Sequence, residues 1–347
     1  MKLSLYPYQL QFKFPFHLAH GVRTHTDVVY VKLEHENFIA WGEAALPPYL
    51  SETQKSVIDF LTGFSKNVSS NSIDYWFEQL NEVETNTSAK AALDMALWSL
   101  KAQLENKTVG ELLAKTFQLP DSTLYEQNLS CLQCTYTIGV SSFNEMKLKV
   151  EDAGKYGFEI FKLKLNGEND EEVVRNFQKL SDKKFCVDVN QGWKSLEEAI
   201  AKISFLSDEG CLLVEQPLPK EKNEEMELLK EKSPLPLFAD ESCQRLNDIE
   251  KIKNSFHGIN IKLMKCGGIN EAYQMIKKGR ELNLKILIGC MSESSVGCTA
   301  AAHLTPFANY ADLDGPNLIT NDPFTGIKVV NGRMKIFPLK QSMGNIF

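Results

Sequence analysis

Five segments of this chain end apolar runs in charged residues. Phe161-Lys162-Leu163-Lys164 carries two lysines, and Val187-Asp188-Val189-Asn190 carries an aspartate and an amide. Leu213-Val214-Glu215-Gln216-Pro217 ends in a glutamate, Phe238-Ala239-Asp240-Glu241-Ser242 in acids, and Ile259-Asn260-Ile261-Lys262 in a lysine. A strand buried on both faces reads as a continuous apolar run, so a charge at its end marks a rim rather than a core. Lys164, Asp188, Glu215, Asp240 and Lys262 follow one another at intervals of roughly 25 residues, about one strand-plus-helix unit. Side chains so spaced would converge from neighbouring strands on one mouth. Three carboxylates meeting in a water-poor cavity repel unless a cation neutralises them. Oxygen donors without nearby Cys or His suit Mg²⁺. The lysines would come from the second and sixth strands, on opposite sides of an eight-stranded ring. A lysine beside a divalent cation has a lowered pKa and can act as a base near neutral pH. Taken singly, a strand-end acid is commonly a helix cap and a Lys-x-Lys a solvated edge. Five in register, two basic flanking three acidic, point to chemistry.

The elements that must position these residues lie between 135 and 313. Apolar runs at 135–140, 158–165, 185–189, 212–215, 237–239, 258–263, 285–289 and 310–313 alternate with amphipathic stretches. Ser142-x-x-Glu145 and Ser195-x-x-Glu198 read as capping boxes opening two of the helices. This pattern predicts an α/β fold, a (β/α)₈-type barrel. The eighth helix has little signature. Before the barrel, strand-like runs at 3–14, 28–34 and 38–43 and a helical stretch at 88–104 predict an α+β capping domain. After it, Asn331-Gly332 between apolar runs predicts a hairpin that returns to that domain. The expected division is 1–120 for the cap, 121–320 for the barrel and 321–347 for the returning segment.

Composition sets limits. The 347 residues are 43% hydrophobic and 24% charged, with a net charge of −7, an ordinary globular balance with no basic nucleic-acid footprint. No run is long and apolar enough to span a membrane, and the start lacks the features of a signal peptide. The eight cysteines read as free thiols in a reducing cytoplasm, and Cys131-x-x-Cys134 is a lone pair without a second metal-binding pair. We expect a cytoplasmic homo-oligomer with a small-molecule substrate.

The ordered motifs Lys-x-Lys, Asp-x-Asn, Glu-Gln-Pro, Asp-Glu-Ser and Asn260-Ile-Lys-Leu-Met-Lys265-Cys-Gly-Gly resemble the enolase superfamily, specifically its muconate-lactonising subgroup. The resemblance runs from Trp41-Gly42-Glu43 to the final hairpin. It implies that Asp188, Glu215 and Asp240 bind one Mg²⁺, that Lys164 and Lys262 are the acid/base pair, and that Lys162 assists near the substrate carboxylate. The mandelate-racemase subgroup uses a late-strand histidine, and no histidine here has that setting; His257 and His303 read as structural. Within the subgroup the chain is similar to dipeptide epimerases. Asp312-Leu-Asp314 matches an Asp-x-Asp that binds a substrate ammonium, and Arg23 matches an arginine that holds a glutamate side chain. Thr135 and Met291 join the implied substrate-binding residues. Ser292 stands where the alanine–glutamate epimerases carry Ile, so the side-chain preference is read less firmly than the reaction. The implied reaction is epimerisation at the α-carbon of a dipeptide's C-terminal residue through an enediolate, with fragments of cell-wall peptide as possible substrates. Loops at 16–26 and 46–53 would close over the site. The alternatives on this scaffold are an o-succinylbenzoate synthase, an N-acylamino-acid racemase or a cycloisomerase; a binding protein without catalysis is a further class. Asp312 and Asp314 discriminate, because a succinylbenzoate precursor has no ammonium.

Overall fold

The computed structural model describes residues 1–18, 21–68, 70, 72–116 and 132–342. His20 and Cys131, and with Cys131 the CxxC pair, lie outside the described residues.

Three antiparallel strands, β1 (Lys2–Leu18), β2 (Gly21–His35) and β3 (Phe38–Ala45), form the capping sheet. The side-chain period of two divides β2 between two cores. Val29, Val31 and Leu33 pack with Ala89, Ala92, Leu93, Ala96, Leu97 and Leu100 of the helix Thr87–Leu104. Val28 and Tyr30, on the opposite face, join the core that continues into the barrel. The sheet is therefore buried on both sides, which fixes the cap on the barrel. Gly42 permits the close approach of sheet and helix: a Cβ there would lie 1.8 Å from the carbonyl oxygen of Ala92. The first two strands run further than their apolar patterns suggested. After an irregularity between Gln11 and Phe16, the backbone of Phe16, His17 and Leu18 pairs with Arg23, Val22 and Gly21. Residues 21–25, read as part of a loop, continue the hairpin. They carry no apolar alternation, so only the backbone ladder reveals the strand.

The eight parallel strands run in the order β4 (Thr135–Ile138), β5 (Ile160–Lys164), β6 (Lys184–Asp188), β7 (Val214–Glu215), β8 (Leu237–Ala239), β9 (Gly258–Lys262), β10 (Lys285–Gly289) and β11 (Tyr310–Asp312). A parallel bridge from Cys134 to Ala311 joins the last strand to the first. Ser142 and Glu145 form the reciprocal capping box expected of them. At the other site Ser195 accepts from the Glu198 N–H, but the Glu198 carboxylate takes the N–H of Lys194 instead. The faint eighth helix has a physical reason: Gly315–Leu318 is a single turn before the chain leaves for the tail.

The tail forms its own hairpin, β12 (Phe324–Val330) and β13 (Arg333–Gln341). Asn331 and Gly332 both have positive φ, 52° and 70°, as a two-residue hairpin turn requires. Phe324 packs against Tyr30 and Trp41 of the cap, with ring centroids 5.1 and 5.0 Å apart. At the other end, the Gly332 carbonyl accepts from the N–H of Cys134.

Candidate active site

Lys164, Asp188, Glu215 and Lys262 end their strands, Asp240 directly follows β8, and Lys162 lies two residues before the end of β5. Register aligns them: Lys164 pairs with Asp188, Asp188 with Glu215, and Lys262 with Gly289. The turns after the strands are sharp. Asn190, Gln191 and Gln216 have φ of 47°, 67° and 39°, a region L-residues rarely occupy. Gln216 holds its turn by accepting from the N–H groups of Asp240 and Ser242, both at 3.0 Å, which ties the ends of β7 and β8 together.

Asp188, Glu215 and Asp240 are fully buried or nearly so, and each offers an oxygen within 4.8 Å of the others. Lys162 reaches Asp188 at 3.1 Å, Glu215 at 3.0 Å and Asp312 at 2.8 Å. Lys164 pairs with Asp188 at 2.6 Å and Lys262 with Asp240 at 2.7 Å. The two lysines thus lie on different sides of the triad, each against a different carboxylate. Buried Glu215 Oε2 faces the Lys162 ammonium at 3.0 Å and takes no hydrogen bond among the described residues. A cluster of converging carboxylate oxygens with that spare acceptor capacity fits a hard divalent cation such as Mg²⁺.

Electrostatics agree with that fit. Burial alone would raise the pKa of Asp188 and Asp240, but lysines outweigh it and hold both below the usual range. Glu215 goes the other way: burial and then the charge of Asp188 push it up. Burial pulls Lys162 and Lys262 down, yet the surrounding carboxylates hold both well above the ordinary lysine range. The lowered lysine expected from the sequence belongs to the cation-loaded site. Carboxylates are the nearest charges to these ammonium groups, and a lowered value requires a cation to take those carboxylates over.

Three supporting residues escaped notice as such. Lys265 donates to Asp240 Oδ1 at 2.6 Å and to the carbonyls of Asp240, Cys243 and Asn260. Asn260 donates to Glu215 Oε1 at 2.8 Å, and glycine at 289 leaves room for it, since a Cβ there would lie 2.5 Å from its Oδ1. Gln216 is the third. Lys265 and Asn260 lie in a motif already quoted, but their role depends on contacts across strands.

The other expected residues are placed as follows. Asp312 accepts from Lys162 and from the hydroxyl of Thr135, and Asp314 accepts from the N–H of Thr137 at 2.6 Å. Both aspartates are buried; burial and then Asp312 raise Asp314, whereas Lys162 outweighs burial and lowers Asp312. Met291 follows β10, and its sulfur accepts from the hydroxyl of Tyr49 in the 46–53 segment. Tyr49 is largely exposed, but its hydroxyl end lies within electrostatic reach of Lys262, Asp240, Glu241 and Asp188, so the cap overhangs the mouth. Arg23 lies in β2, half-buried, with its guanidinium 5.5 Å from the ring centre of Phe12 and within electrostatic reach of Tyr49 and Asp27. His257 serves the fold: its Nδ1 accepts from the N–H of Leu237. His303 directly follows the helix Ser295–Ala302.

Comparison with known proteins agrees with this geometry. The profile described as mandelate racemase / muconate lactonizing enzyme, N-terminal domain, matches residues 2–114, and the enolase C-terminal domain-like profile matches residues 145–335. The L-Ala-D/L-Glu epimerase of Bacteroides thetaiotaomicron is 38% identical over 97% of this chain and 85% of its own. Among solved structures, a substrate-liganded complex of the L-Ala-D/L-Glu epimerase from Bacillus subtilis superposes with a TM-score of 0.87 at 25% identity, covering 98% of this chain and 97% of that one. A dipeptide epimerase from Enterococcus faecalis, complexed with Mg and L-Leu-L-Tyr, gives 0.83 at 26% identity, covering 98% and 96%. With both of its parts matched and a close relative spanning nearly its whole length, this chain belongs to the mandelate racemase/muconate lactonizing enzyme family of the enolase superfamily.

Proposed function

We propose that the protein is a Mg²⁺-dependent dipeptide epimerase, acting at the α-carbon of the C-terminal residue. One observation carries the reading: Lys164 and Lys262 flank the acidic triad, each paired with a different one of its carboxylates. Asp188, Glu215 and Asp240 would hold Mg²⁺, which supplies an electrophile that neutralises charge developing on the substrate carboxylate. The chain's own groups do the rest. One lysine removes the α-proton, leaving an enediolate, and the opposite lysine returns a proton to the other face. Lys162, anchored among Asp188, Glu215 and Asp312, adds fixed positive charge beside the carboxylate. Asp312 and Asp314, steadied by Thr135 and Thr137, receive the substrate ammonium. Residues 1–120 and 321–347 act as the cap over the barrel of 121–320, and Tyr49 with Met291 excludes water from the mouth. The described cysteines are free, in keeping with a reducing cytoplasm, and no helix of the described chain is long and apolar enough to cross a membrane.

The test uses the amino terminus of the substrate. Asp312→Asn and Asp314→Asn keep shape and remove charge, so a free dipeptide ammonium loses a partner in a desolvated site. Breaking such a pair costs roughly 3–5 kcal/mol, read as kcat/KM. The wild type should use N-acetylated dipeptides poorly, and the variants should lose little more on them. Equal turnover of free and N-acetylated dipeptides would sink the dipeptide reading and favour N-acylamino-acid racemisation.

For the side chain, Arg23 is the group to read an acidic C-terminal residue. Arg23→Met should reduce kcat/KM on dipeptides ending in Glu by about 1.5–3 kcal/mol, the worth of a charged hydrogen bond, and spare those ending in neutral residues. Equal losses on both would remove Arg23 from the specificity site.

A further inference from the structure

Two carboxyl groups that the chemistry leaves unused are buried together where the capping sheet meets the barrel. Glu43 lies in β3 and is fully buried. Its carboxylate accepts from the N–H of Ser294 at 2.9 Å, the hydroxyl of Ser294 at 2.5 Å and the N–H of Gly297 at 3.0 Å. Ser294 caps the helix Ser295–Ala302, so this cap residue grips the first turn of a barrel helix. Glu293 is also buried, at 1% exposure. Its Oε1 accepts from the N–H of Met291 at 2.7 Å, while its Oε2 has no hydrogen-bond partner among the described residues. The two groups converge on one residue: the Gly297 N–H donates to Glu43 Oε2, and a Cβ on Gly297 would lie 2.2 Å from Glu293 Oε2.

Two ionised carboxylates at such a place repel and lose hydration, and one proton between them removes the repulsion and halves the buried charge. We propose that Glu43 and Glu293 share a proton as a clasp between cap and barrel, and that both are positioning residues for Met291 and Tyr49 at the substrate mouth. The clasp sets Met291 through its N–H, and Met291 receives the Tyr49 hydroxyl, so the overhang of the cap depends on it.

Among the described residues, the surroundings supply no free cation to replace the proton. Facing the pair are Tyr30 of β2, Cys290 and Cys298, and Asp322, which is occupied by the N–H and hydroxyl of Ser295. The charge of Lys262 reaches Glu293, but its ammonium is engaged by Asp240 at 2.7 Å. Burial first, and then the neighbouring carboxyl, push Glu43 up to about 8; burial pushes Glu293 up to about 7. Both values are raised above those of the unfolded chain. Their stabilising contribution is therefore complete below the ordinary carboxyl range and is lost as pH rises through about 7 to 8.

The test is Glu293→Gln in the Mg²⁺-loaded enzyme, with Glu293→Ala beside it. The glutamine keeps the acceptor for Met291 and offers Glu43 a permanent donor. Wild-type Tm should fall between about pH 6.5 and 9, and E293Q should show a fall smaller by roughly 2–4 °C or more. If dipeptide epimerisation is the activity, KM for the dipeptide should rise severalfold over the same range in the wild type and stay level in E293Q. E293A should show a raised KM at every pH, so that glutamine rescues what alanine loses. Superimposable Tm profiles for wild type and E293Q would overturn the clasp. So would an E293Q that is unfolded at about pH 6.5 where E293A folds, because a neutral isostere must fit a protonated pair. Unfolding needs no substrate, so failure of the functional reading leaves the Tm comparison decisive.

Discussion

Lys164→Ala and Lys262→Ala are each expected to lower epimerisation by roughly 10²–10⁴-fold or more, the contribution of a positioned acid or base. Epimerisation needs a proton removed from one face and returned to the other, and the two ammonium groups stand against different carboxylates of the triad. Neither can serve both faces. The variants should differ in what they retain: each keeps one base, so each should still exchange the α-proton of one epimer with solvent without producing the other. The measurement is α-deuteration of separately supplied L,L and L,D dipeptides. Wild-type interconversion in either variant would contradict the two-base arrangement.

Glu215→Gln is the second large effect, and it isolates the metal from the fold. Replacing Asp240 would strand Lys262 and Lys265, both buried against it, and an uncompensated buried charge costs roughly 3–5 kcal/mol. Glutamine at 215 keeps an acceptor for Asn260, and Lys162 keeps Asp188 and Asp312 as partners. Stability should therefore change little. Mg²⁺ affinity should fall by more than the roughly 10–100-fold typical of losing a residue that only supports a ligand, and activity should fall with it. Calorimetric titration of Mg²⁺ checks this; unchanged affinity would remove Glu215 from the metal site.

The strand ends were legible because burial makes them conspicuous. A lysine or carboxylate closing an apolar run has no place in a core, and its recurrence at each unit fixes the ring. Legibility failed where residues act through partners distant in the chain. Nothing local marks Lys265 as the clamp on Asp240, Gln216 as the tie between two turns, or Glu43 as the partner of a helix start some 250 residues on. The extended β1–β2 hairpin was hidden for a related reason: a strand held by backbone pairing alone shows no side-chain period.

The central claim is tested most directly by incubating the wild-type protein with Mg²⁺ and L-Ala-L-Glu in D₂O and following the α-carbon of the C-terminal residue by mass spectrometry and NMR. The account predicts one deuteron at that carbon, none at the N-terminal α-carbon, convergence of the L,L and L,D dipeptides on one mixture, and loss of all exchange with a chelator. Exchange that persists without Mg²⁺, or its absence from every dipeptide with a free amino terminus, would contradict it.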